Sequence, residues 1–285
     1  MALEPVEYRL LAGAPLKIEH EGEPVLLAPG GAARRPWGRH APLEAVIFDL
    51  DGVLTDTASA HFRAWRRLAA ELGFGFDVQE NEALKGVDRL TSLDLLLRSG
   101  GVDPASIDRP ALAARKNAFY LEEIADLGPD DLLPGARAAL ELTRALGLKT
   151  ALASASRNAP QIISRLGIEA LFDGVAEVTE ARRPKPAPDL FLAAAAAVNA
   201  PPARCLAVED SIAGVTAIRA AGMTSIGVGD PAVLGDADIN ISDLTRFRPN
   251  RPDEIAVGDP RRPKKTLESQ NQETEPRDRT KRGRI

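Results

Sequence analysis

Apolar and polar positions change period twice along this chain, and the changes mark off segments with different expected structure. Residues 1–43 hold short alternating stretches, Pro15-Leu-Lys-Ile-Glu-His20 and Pro24-Val-Leu-Leu-Ala28, split by glycine and proline. Alternation with period two predicts strands, so this segment reads as a small β appendage or a remnant of one. Gly30-Gly-Ala-Ala-Arg-Arg-Pro-Trp-Gly38 then has the makeup of a linker. An apolar run opens at Ala45 and is unbroken to Phe48, which marks a strand read from Ala45 to Leu50 and covered on both faces. From Thr57 to about Asp131 apolar residues instead recur three and four apart, first in Phe62-Arg-Ala-Trp-Arg-Arg-Leu-Ala-Ala-Glu-Leu72 and again from Leu112 to Leu127. That period is helical, and no convincing strand interrupts it. An all-helical insert after the first strand, residues 58–131, reads as a cap over a site.

A β/α rhythm resumes after Leu133-Pro-Gly135. Helices are expected from Ala136 to Leu146, Ala159 to Leu166, Pro188 to Val198 and Ile212 to Ala221, and strands from Lys149 to Ala153, near Gly174 to Glu177, from Cys205 to Val208 and from Thr224 to Val228. The alternation predicts an α/β fold: a parallel, Rossmann-like sheet wrapped by helices, built from residues 44–57 and 132–246. From Phe247 the composition turns to Pro, Arg, Lys, Gln and Glu, which predicts a disordered charged tail over 247–285. Its mixed charge reads as a solvated tail before a nucleic-acid arm.

Composition narrows the function classes. With 285 residues, 44% of them hydrophobic, the chain can bury a sizeable core. A net charge of −5 and a pI near 5.4 favour neither nucleic acid nor an anionic membrane as partner. Met1-Ala-Leu-Glu-Pro-Val-Glu-Tyr8 lacks the basic and apolar regions of a secretory leader, and nowhere is there an apolar span of membrane length. The single cysteine, Cys205, lies in an apolar run and reads as a buried inert thiol, so a cytoplasmic protein is expected.

The chemistry gathers at strand ends. The first strand runs into Asp49 and Asp51, with Gly52 to turn the chain, where open α/β sheets place their sites. Side chains two apart in a strand face one way, so both carboxylates can face one site, at a cost unless a cation or proton lies between them. Two solvated turn carboxylates are the plainer alternative. Ser154-Ala-Ser-Arg-Asn158 follows another strand, suited to phosphate and equally to capping a helix. Lys185 stands between prolines in Arg183-Pro-Lys-Pro-Ala-Pro-Asp189, where a fixed backbone either delivers its ammonium to a defined place or is a rigid loop. Glu209-Asp210-Ser211 ends a third strand; Asp210 is also a candidate helix cap. Asp49, Asp51, Glu209 and Asp210 together form the oxygen-rich set that Mg²⁺ prefers.

In that order and spacing, Asp49-Leu-Asp-Gly-Val-Leu-Thr55, Ser154, Lys185 and Glu209-Asp210 resemble the four motifs of the haloacid dehalogenase superfamily of phosphotransferases. Within it, the chain is most similar to the β-phosphoglucomutases, through Phe48–Thr57, His61-Phe-Arg-Ala-Trp65, Leu84-Lys-Gly-Val-Asp-Arg89, Arg115-Lys-Asn117, Leu152–Ser156, Lys185–Asp189 and Ile226-Gly-Val-Gly229. The resemblance spans about residues 44–245. It implies Asp49 as nucleophile forming an aspartyl phosphate and Asp51 as general acid and base. It also implies Mg²⁺ held by Asp49, the Asp51 carbonyl, Glu209 and Asp210, with Lys185 and Ser154 steadying the transferring group. A second phosphate of β-glucose 1,6-bisphosphate, the activating intermediate, falls to Arg89 with Ser156, Arg157 and Asn158. Lys85, Gly86, Lys116 and Ala155 complete the substrate set. Thr57 and His61 resemble the pair that restrains Asp51 until the cap closes, and Trp65 and Phe62 read as cap core.

The implied activity is interconversion of β-glucose 1-phosphate and β-glucose 6-phosphate by a monomer. A magnesium-dependent sugar-phosphate phosphatase is the alternative, and a non-catalytic carbohydrate-binding or regulatory protein a third. Two departures stand out. The run Glu180-Ala-Arg-Arg-Pro184 replaces a shorter one ending in serine, and Arg157 replaces the usual lysine. Tyr8 to Gly30 faintly resembles the C-terminal β-domain of disaccharide phosphorylases that release β-glucose 1-phosphate.

Overall fold

Strand β3 (Ala45–Phe48) has every side chain buried, and its alternation divides the protein into two apolar layers. Ala45 and Ile47 join one core cluster with Leu190, Phe191 and Ile218, while Val46 and Phe48 join the other with Leu140 and Ile162. A strand buried on both faces must have helices on both sides, which is why it reads as a continuous apolar run. The computed structural model describes residues 16–20, 23–27, 43–84, 87–176, 181 and 183–249.

Two strands precede β3, β1 (Leu16–His20) and β2 (Glu23–Leu27), which form an antiparallel pair. After β3 come four cap helices, α1 (Ala58–Glu71), α2 (Val78–Glu82), α3 (Arg89–Ser99) and α4 (Arg109–Glu123). The alternating part follows as α5 (Ala136–Ala145), β4 (Lys149–Ala153), α6 (Ala159–Arg165), β5 (Gly174–Ala176) and α7 (Asp189–Ala197). It ends with β6 (Cys205–Glu209), α8 (Ile212–Ala220), β7 (Thr224–Val228), β8 (Ile239–Ile241) and β9 (Phe247–Pro249). Six strands form one parallel sheet in the order β5-β4-β3-β6-β7-β8. The α/β architecture with a helical insert after the first core strand is therefore present, and Cys205 is buried as expected.

The differences from the sequence reading have local causes. β3 stops at Phe48 rather than Leu50: Asp49 N–H still bonds the Val208 carbonyl at 3.0 Å, but Leu54 N–H then turns back to Leu50 and Gly52 N–H to Thr55. Strand β8 went unread because Ile239-Asn-Ile241 is too short to show a period. The expected tail starts too early. Phe247–Pro249 pairs with β1, placing Phe247 opposite Ile18, and the Phe247 ring lies 6.2 Å from Phe48. Ile18 is fully buried in the same cluster, so β1 packs on the core rather than hanging as an appendage. Residues 250–285 lie outside the described residues.

The chain enters and leaves the cap through adjacent segments. Leu133 N–H bonds the Leu54 carbonyl at 2.9 Å and Thr55 Oγ1 donates to the Asp131 carbonyl at 2.9 Å, so both crossings form one paired neck. Within the cap, α1 packs mainly on α4.

Ile18→Ala should remove about 2–5 kcal/mol of stability, the cost of truncating a buried isoleucine. Urea unfolding of the full chain measures it; an unchanged midpoint would mean that β1 contributes nothing to the core.

Candidate active site

Sheet register places the chemistry. Phe48 lies opposite Leu152 on β4 and Val208 on β6, so the residues after these three strands emerge at one carboxyl edge. Lys185, before α7, reaches into that edge. Its Nζ lies 2.8 Å from Asp49 Oδ1 and 2.8 Å from Glu209 Oε2, with all three side chains almost wholly buried. The other Glu209 oxygen accepts from the Ser211 N–H at 3.0 Å and the Ser211 hydroxyl at 2.6 Å. Ser211 also caps α8, accepting from Gly214 N–H at 3.1 Å. The helix cap is thus Ser211, and Asp210 is left to the site.

Two glycines make room for these acids. Gly52 holds a positive φ of 79°, and a Cβ there would lie 2.0 Å from Asp210 Oδ2. A Cβ on Gly214 would lie 2.0 Å from the Glu209 carboxyl carbon. Side chains at either position would push a carboxylate away.

One ammonium cannot neutralise three carboxylates. Burial, then Glu209, raise Asp49 to about 8 despite the opposing Lys185. Burial, Glu209 and Asp49 likewise hold Asp210 well above the ordinary carboxyl range. Burial pulls Lys185 down, but Asp49 and Glu209 outweigh it and keep it above its usual value. Asp49, Glu209 and Asp210 each offer an oxygen within 4.8 Å of the others. Excess negative charge on hard oxygen donors fits a divalent cation such as Mg²⁺.

A cavity of about 730 Å³ opens from this edge toward the cap, bordered by Asp49, Asp51, Lys185 and Asp210 below. His61, Arg89, Lys116, Ala155, Ser156 and Arg157 border it as well. Thr57 donates its hydroxyl to Asp51 Oδ1. Burial raises the Asp51 carboxyl, and that hydrogen bond opposes the rise. Lys116 Nζ lies 2.5 Å from His61 Nδ1, and the His61 ring stacks on Tyr120 with centroids 4.0 Å apart. Burial, then Lys116 and Arg89, hold His61 well below its usual value, which favours the neutral ring. Burial, then Arg89, also lower Lys116 strongly.

Arg89 and Arg157 share the cavity and have no ion-pair partner among the described residues. Burial, then Arg157, lower Arg89. Unpaired guanidinium groups facing one space form an anion site.

The remaining expected residues are placed differently. Ser154 is buried and does not border the cavity; its Oγ accepts from Ser156 N–H at 3.1 Å, so it does not cap α6. Asn158 Nδ2 donates to Asn117 Oδ1 at 2.9 Å, joining core to cap. Lys85 and Gly86 lie outside the described residues. Of the divergent run before Lys185, Glu180 and Arg182 lie outside the described residues, and Arg183 donates through Nη2 and Nε to both oxygens of Asp189, at 2.9 and 3.3 Å. Trp65 is buried as read, yet it also borders the cavity, its ring 4.4 Å below the Lys116 ammonium. Asn81 and Ser92, nearly buried polar cavity residues, were not anticipated. For Ser92 a signal existed: it stands four residues before Leu96 on the buried stripe of α3, a polar group in apolar phase.

A family model described as haloacid dehalogenase-like hydrolase matches residues 43–222. The chain is 44% identical over 208 residues to a β-phosphoglucomutase of Bacillus subtilis, covering 71% of this chain and 92% of that protein. It is 30% identical over 185 residues to a fructose-1-phosphate phosphatase of Escherichia coli, covering 64% and 95%. A crystal structure of β-phosphoglucomutase from Clostridium difficile superposes with a TM-score of 0.70 at 37% identity, covering 75% and 96%.

Because a cation must compete with protons on Asp49 and Asp210, Mg²⁺ affinity should rise between pH 6 and pH 8 with proton release on binding. Titration calorimetry in buffers of different ionisation enthalpy measures both; a pH-independent affinity would contradict the raised carboxyls.

Proposed function

From a chain that belongs to the haloacid dehalogenase-like hydrolase family, we propose a magnesium-dependent β-phosphoglucomutase that interconverts β-glucose 1-phosphate and β-glucose 6-phosphate. The observation that carries this reading is the pair of unpartnered guanidinium groups, Arg89 and Arg157, sharing a cavity with the carboxylate edge. A phosphatase of small monophosphates needs one phosphate site; a mutase working through a bisphosphate needs two. Similarity to the Bacillus subtilis and Clostridium difficile mutases supports the same choice.

In the proposed reaction, β-glucose 1,6-bisphosphate binds with one phosphate at Asp49 and the other at Arg89, Ser156, Arg157 and Asn158. An Asp49 oxygen attacks the near phosphorus, the ester P–O bond breaks, and Asp51 gives its proton to the departing sugar oxygen. Burial suits Asp51 to this part by raising its carboxyl's hold on a proton, against the Thr57 hydrogen bond. The monophosphate then returns in the opposite orientation, its free hydroxyl attacks the aspartyl phosphate, and Asp51 takes the proton back. Bound Mg²⁺, held by Asp49, Glu209, Asp210 and the Asp51 carbonyl, supplies positive charge that offsets repulsion between carboxylate and phosphate. Lys185 adds a fixed charge at Asp49. Thr57, through its hydrogen bond, and neutral His61, on the cap, restrain Asp51 until cap and core close, so that water does not resolve the phosphoenzyme. Lys85, Gly86, Lys116 and Ala155 contact the sugar phosphate in this reading, and Ser154 supports its loop from beneath. The enzyme is a monomer in the cytoplasm.

The second reading, a sugar-phosphate phosphatase, is favoured by the similarity to the Escherichia coli fructose-1-phosphate phosphatase. It shares Asp49 and Asp51 and differs only in what resolves the phosphoenzyme.

Incubation with β-glucose 1-phosphate and a trace of the bisphosphate should yield glucose 6-phosphate in a dehydrogenase-coupled assay; release of free phosphate in its place would sink the mutase. Arg89→Ala should lower mutase kcat/KM by roughly 10- to 100-fold, the loss of a charge-assisted hydrogen bond. Hydrolysis of a small acyl phosphate by that variant should be unchanged, and equal losses in both assays would count against a second phosphate site.

A further inference from the structure

Most polar groups bordering the cavity are either charged or already engaged. His61 and Lys116 hold each other, and the Asp88 carboxylate caps α3 through the N–H groups of Leu90 and Thr91. Asn81 is neither. It is 7% exposed, it borders the cavity, and among the described residues its carboxamide makes no hydrogen bond. Its donors and acceptor are therefore open to whatever occupies the cavity, at no cost of a lost internal bond.

The backbone presents this group firmly. Helix α2 starts with a reciprocal capping pair: Asp77 Oδ1 accepts from Glu80 N–H, and Glu80 Oε2 accepts from Asp77 N–H, both at 2.9 Å. Asn81 N–H itself bonds the Asp77 carbonyl at 3.2 Å. Nearby in sequence on the same wall, Leu84, Val87 and Leu90 are apolar and give the carboxamide no alternative partner. A carboxamide carries donors and an acceptor together, so it pairs with a hydroxyl, which both gives and receives; a phosphate suits the guanidinium groups. We infer that Asn81 is a specificity-determining residue that receives a ring hydroxyl of the sugar phosphate from the cap side of the cavity. The inference rests on the sugar-phosphate reading above and not on whether the product is an isomer or free phosphate.

The test compares β-glucose 1-phosphate with analogues each lacking one ring hydroxyl, scored by total consumption of the sugar phosphate. The wild-type enzyme should lose roughly 10- to 100-fold in kcat/KM on one analogue, because the missing hydroxyl leaves the amide unpaired. Asn81→Ala should lose a similar factor on the parent sugar and no longer distinguish it from that analogue. Its thermal midpoint and its turnover of acetyl phosphate, which has no ring, should match wild type. Undiminished discrimination by the variant, or a wild type indifferent to every ring hydroxyl, would overturn the inference. So would parallel loss of acetyl phosphate turnover in Asn81→Ala and in the milder Asn81→Ser, which marks a structural residue. Failure to consume any sugar phosphate while acetyl phosphate is still turned over would instead overturn the reading beneath it.

Discussion

Lys185, 2.8 Å from both Asp49 and Glu209, ties the loop before α7 to the ends of β3 and β6. All three groups are withdrawn from water, so each depends on the others: removing one leaves an uncompensated buried charge, a costly arrangement. The pairing is possible only because the parallel register aligns Phe48 with Val208 and brings Asp49 and Glu209 to one height. It is also incomplete, since Asp210 adds a carboxylate that Lys185 does not neutralise, and the raised Asp49 and Asp210 follow from that deficit. The same deficit of positive charge suits the edge to a divalent cation.

Above this rigid edge the cap is joined by a narrow neck and a few polar links. The neck is a backbone pairing between Leu54 and Leu133, and Asn117 on α4 meets Asn158 on the core. The links are not only polar: cap residues such as Trp65 and Leu68 belong to the same apolar cluster as Val46 and Phe48. The groups around Asp51 are divided between the two bodies: Thr57 stands at the neck, while His61, Lys116 and Tyr120 belong to the cap. In the proposed reaction this division lets cap position govern when the proton of Asp51 becomes available.

Fold alone does not choose between transfer to sugar and transfer to water, since the family contains proteins named for each. The carboxylate edge serves both chemistries equally. In the proposed reading the difference lies on the far side of the cavity, which Arg89, Arg157 and Asn81 border. At the described end of the divergent run Arg183 bonds Asp189, and Lys185 reaches Asp49.

The sequence by itself determined the five strands from β3 to β7, the helical insert and the polar residues at strand ends, because these are encoded by local period and by polar residues that end apolar runs. Asp49, Lys185 and Glu209 were legible for that reason. Helical ends were legible only to within a residue, as fraying and cap geometry are decided atom by atom. Tertiary structure alone decided what depends on contacts across the chain. Phe247 lay at the start of a charged tail and gave no sign that it would pair opposite Ile18 and pack beside Phe48. Asp210 was the candidate cap of α8, and the Gly214 N–H bonds Ser211 instead. Ser154 was expected at phosphate or at a helix end and is enclosed beneath its loop. Asn81 sits in a short helix with too few turns for a period to mark its face, so only the closing of the cap over the sheet made it a cavity residue. Such outcomes are set by which surfaces meet in space, and a pattern read along the chain carries no term for that.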